Sequence, residues 1–209
     1  MTDQRPRHEN PVTGEYVTVL TDPLDHPEEA LVAELTVTPG GRVAAPHHHP
    51  TLTERFHVIE GRVDFMLDGE KAELGPGDHA TVAKNVVHDW WQVGEEPALV
   101  VAEVTPGFRF GEMITHLFGL AREGKLNAEG MPSPLQLAVI GNEFKDVIVF
   151  ESPPPIVQRL TLPLLAAIGR ARGLTASDAG HRAGEGTAAP DPRSLELLTP
   201  DGRLGSGTV

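Results

Sequence analysis

The chain has 209 residues, 39% of them hydrophobic and 22% charged, enough to bury one good core and in keeping with one domain plus extensions. Its formal net charge of -13, from 17 Lys plus Arg against 30 Asp plus Glu, excludes phosphate-backbone binding, which needs clustered cations. The absence of cysteine excludes disulfides, zinc–thiolate sites and cysteine nucleophiles. The opening residues form no apolar targeting core and no run reaches the roughly 18 apolar residues of a membrane span, so a cytoplasmic protein with neither nucleic-acid nor membrane partners is expected.

Residues 1–15 are polar and are expected to be flexible. From Tyr16 the pattern becomes one of short apolar segments: Tyr16 to Leu20, Leu31 to Val37, Arg55 to Ile59, Val63 to Leu67, Ala80 to Val82 and Ala98 to Val104. Turn residues punctuate them, as at Pro39-Gly40-Gly41, Asp68-Gly69 and Gly75-Pro76-Gly77-Asp78, and the spacing predicts an all-β sandwich or barrel over 16–107. Asp68-Gly69 suits a two-residue type I′ turn, which needs positive φ at both centres, and so predicts a hairpin joining Val63–Leu67 to Glu70–Leu74. Alternation puts Val63, Phe65 and Leu67 on one face, taken as the barrel interior.

After Pro106 the hydrophobic period lengthens. Met113, Ile114, Leu117, Phe118 and Leu120 predict a helix ending near Gly124, a second follows Pro134, and Ile156 to Ala171 reads as a third with Pro163 inside it. These make a helical extension over 108–173. Residues 174–209 turn to Gly, Ala, Pro, Asp, Thr and Ser with little apolar content, and read as a disordered tail.

The stretch from Gly41 to Gly61 carries the chemistry. On an extended strand His47 and His49 share a face, about 7 Å apart by the strand rise, so their imidazoles can converge on one ion while His48 points away. Glu54 opens the next strand, with Phe56 and Val58 facing inward beside it. Imidazole and carboxylate hold divalent Fe, Mn, Ni, Cu or Zn, and a third imidazole is needed from elsewhere in the sheet. The chain offers His88.

These two stretches, Gly41–His47–His49–Glu54–Gly61 and Gly77–His88, resemble the paired motifs of the cupin superfamily. The second departs from the family pattern at Ala83, Asn85 and Gln92, where proline, glycine and asparagine are usual. Asn85 can still make the turn, because asparagine tolerates the left-handed conformation. The resemblance spans roughly residues 30–105. It implies a mainly β, jelly-roll-like double-stranded barrel, one divalent metal ion held by His47, His49, Glu54 and His88, and positions left for water or substrate.

Glu54 is the ligand able to shift and accept a proton, which makes it the candidate catalytic residue. Trp90 and Gln92 share strand parity with His88, and together with Phe56 and Phe65 they are the candidate walls of a substrate pocket suited to an aromatic or chelating molecule. His48 and His57 fall on the opposite strand face, His79 has uncertain parity, and His116 is expected to be half-exposed. Arg109 either reaches a substrate carboxylate at the barrel mouth or is solvated. The resemblance implies a metal-dependent enzyme on a small-molecule substrate, of oxygenase type and in the habit of a homodimer. Metal-assisted isomerase, cyclase or hydrolase chemistry on the same site, and a non-catalytic binding module, are the alternatives.

Overall fold

The structure is a computed structural model, and it describes residues 3–23, 28–42 and 45–205. Over the described residues the chain is mainly β, with two antiparallel sheets and four helices. Strands β1 (Arg5–Asn10), β2 (Glu15–Thr21), β3 (Leu31–Val37), β5 (Thr53–Glu60), β8 (His79–Val82), β10 (Ala98–Thr105) and β12 (Gly186–Ala188) form a seven-stranded sheet in the order β12-β1-β2-β3-β10-β5-β8. Strands β4 (His47–His48), β6 (Arg62–Leu67), β7 (Glu70–Leu74), β9 (His88–Val93) and β11 (Val149–Phe150) form the other, ordered β11-β4-β9-β6-β7.

Strand alternation builds the core between the sheets. Phe56 and Val58 of β5, Val63 and Phe65 of β6, Trp90 of β9, and Val100 and Ala102 of β10 meet in one cluster. The Asp68-Gly69 hairpin forms as expected, with φ of 48° and 85°, and β6 pairs β7 in the register Leu67↔Glu70. Asn85 is left-handed at φ 64°, so the turn before His88 is made without glycine.

Helix α1 (Phe108–Arg122) runs out to Gly124, α2 (Pro134–Glu143) starts on the Ser133 side chain, which accepts from the Gln136 N–H, and α3 (Pro155–Ala171) holds Pro163. A second cluster, in which Leu52 and Val104 of the barrel meet Met113, Leu120, Ile140, Phe144 and Val147, packs α1 and α2 against one end of the barrel.

Two expectations are corrected. The N-terminal segment is not loose: β1 pairs with both β2 and β12. Nor is the segment after Leu174 a disordered tail over its described part, although residues 206–209 lie outside it. It forms a 3-10 turn at Ala179–Ala183, β12 and a short helix α4 (Pro192–Glu196), then crosses the outer face of the large sheet. There Leu204 packs on Leu20, Val32 and Val101, with Leu195, Leu197 and Leu198 beside it. Buried Glu103 accepts from the Leu204 N–H at 2.7 Å and from Arg203 at 2.9 Å, and Arg55 donates to the Leu204 and Gly205 carbonyls. Composition undercounts such a strap, because what holds it is an apolar sheet face that needs covering more than its own apolar content.

Candidate metal centre

Three elements bring His47, His49, Glu54 and His88 together. His47 and His88 are register partners across β4 and β9, while Glu54 is the second residue of β5, whose burial alternates so that Glu54, Phe56 and Val58 point inward. The turn at Asn85 is tied to the first stretch by its N–H, which donates to the His49 carbonyl at 2.9 Å. All four side chains are buried, and one ligand atom from each lies within 4.8 Å of the others. Val43 and Ala44 of this stretch lie outside the described residues.

The hydrogen bonds decide which ring nitrogens face inward. Nδ1 of His47 donates to the Ala45 carbonyl (2.8 Å), Nδ1 of His49 to the Val147 carbonyl (2.6 Å) and Nδ1 of His88 to the Val86 carbonyl (3.1 Å), since a carbonyl can only accept. In the neutral rings this leaves a lone pair on each Nε2, all turned to one point. Nε2 of His47 and His49 stand 3.2 Å apart, and Glu54 Oε2 lies 2.9 Å from His88 Nε2 and 3.3 Å from His49 Nε2. Two ligands each about 2.1 Å from one ion are roughly 2.9–3.4 Å apart at octahedral or tetrahedral angles. Facing lone pairs at these separations repel unless a cation or proton lies between them, so the donor set fits a divalent ion held by nitrogen and oxygen.

The charges agree with that reading. Burial, reinforced by the neighbouring His88 and His49 rings, pushes the His47 imidazole down to about 3. Burial also works against a charged His49, but hydrogen bonding to Glu54 and to the Val147 carbonyl outweighs it, and its pKa is raised. Burial would raise Glu54, yet the hydrogen bonds from His49 and His88 prevail and hold the carboxyl below its usual range. The protein groups alone therefore favour an ionised Glu54 at the centre of three imidazoles, with a proton shared between it and His49.

The helical extension reaches into this site. The Val147 carbonyl follows α2, β11 pairs with β4, and the Glu151 N–H donates to the Pro46 carbonyl. The rings of Phe150 and Phe110 stand 5.9 Å from those of His47 and His49 respectively. Sequence reasoning missed both phenylalanines. Their only signal was position: Phe110 leaves the last barrel strand, and Phe150 precedes the proline run.

The expected pocket walls are corrected. Trp90 stacks on Phe65 at 5.5 Å and 9°, with Phe56 5.0 Å from Phe65, so these three fill the core. Gln92 is buried too, but its amide is spent on the backbone: Oε1 accepts from Gly40 N–H, and Nε2 donates to the Val93, Gly94 and Glu96 carbonyls. Inward parity was right for all four residues. Facing a barrel interior, however, is not the same as facing its open end.

The other residues singled out resolve as follows. His48 points away and meets Glu151 at 2.9 Å, while His57 and His79 are cross-strand partners on the outer surface. His116 is buried rather than half-exposed, its Nδ1 3.1 Å from Nδ1 of His181. Arg109 is engaged by Asp146 and the Glu143 carbonyl.

Fold and site together define a cupin barrel with a buried three-histidine, one-glutamate cluster that could hold a metal ion. Residues 33–104 match the Cupin domain model (Cupin_2), and this chain carries a domain of the cupin superfamily; all four cluster residues fall inside the match. The segment is 32% identical over 69 residues to quercetin 2,3-dioxygenase of Bacillus subtilis (strain 168), covering 33% of this chain and 20% of that protein. It is 29% identical over 93 residues to polyketide synthase CurC of Streptomyces cyaneus, covering 44% and 60%. A crystal structure of a predicted oxalate decarboxylase from Thermotoga maritima superposes with a TM-score of 0.44 at 19% identity, over 49% of this chain and 93% of that one. The chain thus spans between a fifth and about three-fifths of the length of these two curated relatives.

Proposed function

We propose that the protein is a mononuclear metal-dependent enzyme of oxygenase type, acting on a small, neutral organic molecule of aromatic or chelating character. The observation that carries the proposal is the convergence of three Nε2 lone pairs and one carboxylate oxygen on a single point, with every Nδ1 already committed to a backbone carbonyl. His47, His49, Glu54 and His88 would hold the ion. A bound divalent ion supplies Lewis acidity and, if it is iron, manganese, nickel or copper, a redox centre.

The chain's own residues do the rest. Glu54 is the proton acceptor: its Oε2 is shared with His88 and His49, so a proton taken there stays within a buried network. Phe110 and Phe150 are the proposed walls of the pocket, in place of Trp90 and its neighbours. Arg109 is engaged by Asp146 and the Glu143 carbonyl, which supports a neutral substrate over a carboxylate. The 16–107 barrel and the 108–173 extension act in this reading as one catalytic unit, and the name of the dioxygenase relative agrees with it.

Elemental analysis of purified protein tests the metal, and oxygen uptake over a panel of flavonols, other phenolics and β-dicarbonyl compounds tests the reaction. The expected result is one divalent ion per chain and oxygen consumption with a member of the panel. The similarity to a polyketide synthase protein favours a second reading, metal-assisted isomerisation or cyclisation on the same residues. Turnover unchanged under strict anaerobiosis would select it. The cytoplasmic setting expected from the sequence belongs to the same proposal and is tested by cell fractionation.

A further inference from the structure

Helix α3 has two apolar faces. Ala166 and Gly169 are buried on the inner one, where a side chain at Gly169 would meet Val139 of α2 at 2.6 Å, so the two helices pack closely there. The outer face leaves Ile156 63%, Val157 41%, Leu160 73%, Leu164 66% and Ile168 39% exposed, the largest exposed hydrophobic side chains among the described residues. Ile156, Leu160, Leu164 and Ile168 are four residues apart in succession, so they form one ridge along the whole helix. Exposed Pro163, Ala167 and Ala171 lie on the same side.

We propose that this ridge is a homodimer interface, occupied by α3 of a second copy of the chain in an antiparallel, two-fold arrangement. The five large side chains leave on the order of 500 Å² of apolar surface in water, near the top of what a monomer carries in one patch. With the flanking small residues the face approaches the ~800 Å² that each partner contributes to a standard interface. A ridge of i, i+4 residues is self-complementary, because it packs into the grooves between the same rows of an identical helix, and a two-fold contact requires that self-complementarity.

Charge points the same way. α3 carries no acidic residue, and Arg159 has no ion pair among the described residues, while Arg170 is bonded to Glu143 at 2.9 Å near the other end of the helix. Antiparallel pairing brings the Arg159 end of one helix alongside the Glu143–Arg170 end of the other. A lipid surface is the poorer occupant, since a chain of net charge -13 is repelled by anionic headgroups.

Sedimentation velocity of the full chain over a concentration range tests the proposal, and Leu160→Glu with Leu164→Glu removes the ridge without touching the core. The expected result is a dimer at about 10 µM and a twofold fall in mass in the double variant, with far-UV dichroism and metal content unchanged. Because the chain has no cysteine, single-cysteine chains give a second measurement that does not depend on the double variant folding. A mixture of Ile156→Cys and Ile168→Cys proteins should cross-link with a bis-maleimide faster than either protein alone. A wild-type monomer at all concentrations, a dimer that survives the double substitution, or cross-linking no faster in the mixture would overturn it. So would flotation of monomeric wild type with phosphatidylglycerol vesicles that the variant loses.

Discussion

His49 is held at both ring nitrogens, by the Val147 carbonyl on one side and the Glu54 carboxylate on the other. That arrangement sets the pH behaviour of the site. With no ion bound, His49 carries a raised pKa and Glu54 a depressed one, so an incoming ion must displace the shared proton. Apparent metal affinity should therefore rise with pH until the raised His49 value is passed, with proton release visible by calorimetry in two buffers of different ionisation enthalpy. His47, at about 3, contributes nothing to this above pH 5. In the metal-free protein the pair's stabilisation is complete above the unfolded carboxylate value of 4.5 and below the unfolded imidazole value of 6.5. It is lost as pH falls through the Glu54 value or rises through the His49 value. Replacing His49 or His88 with alanine should lower bound metal at least tenfold by elemental analysis.

At the scale of elements, the barrel and its extension meet through backbone as much as through side chains. The carbonyl that orients His49 comes from the turn after α2, and β11 completes the sheet that carries His47. A chain ending at residue 107 should therefore bind metal at least tenfold more weakly than the full protein, provided dichroism shows the barrel intact. Phe110→Ala and Phe150→Ala should raise KM, or change which panel compound is turned over, with metal content unchanged. Trp90→Phe should instead lower stability by about 1–3 kcal/mol and leave KM alone, read by denaturant titration. Within the strap, Leu204→Ala should cost about 2–3 kcal/mol, because it opens the cluster under Val32 and Val101.

For the whole molecule, the metal should couple the two sheets to the extension. Ion binding to the folded chain alone stabilises it by about 2.7 kcal/mol at a hundredfold excess over Kd, so chelation should lower Tm by roughly 5–10 °C in calorimetry.

Strand periodicity, the Asp68-Gly69 and Asn85 turns, the three long helices and the convergence of His47, His49 and Glu54 were legible in the amino-acid sequence, since each follows from local chemistry or from spacing of two or five residues, whereas His88 joined them through the resemblance to the cupin motifs. The inward parity of Trp90, Gln92, Phe56 and Phe65 was legible as well. Whether they met a ligand or one another was not, because that depends on where along the barrel axis each strand lies. The sequence likewise could not place the segment after Leu174, whose hold on the sheet lies in Glu103, Arg55 and Val101, each about a hundred or more residues away. By itself, then, the sequence determined the barrel and its helices through period and residue type, and it pointed to the four-residue cluster through its likeness to the cupin motifs. Only the tertiary structure decided which carbonyl aims His49, which aromatic rings stand over the site and which sheet face the last thirty residues cover, because those contacts join segments with no periodic relation to one another.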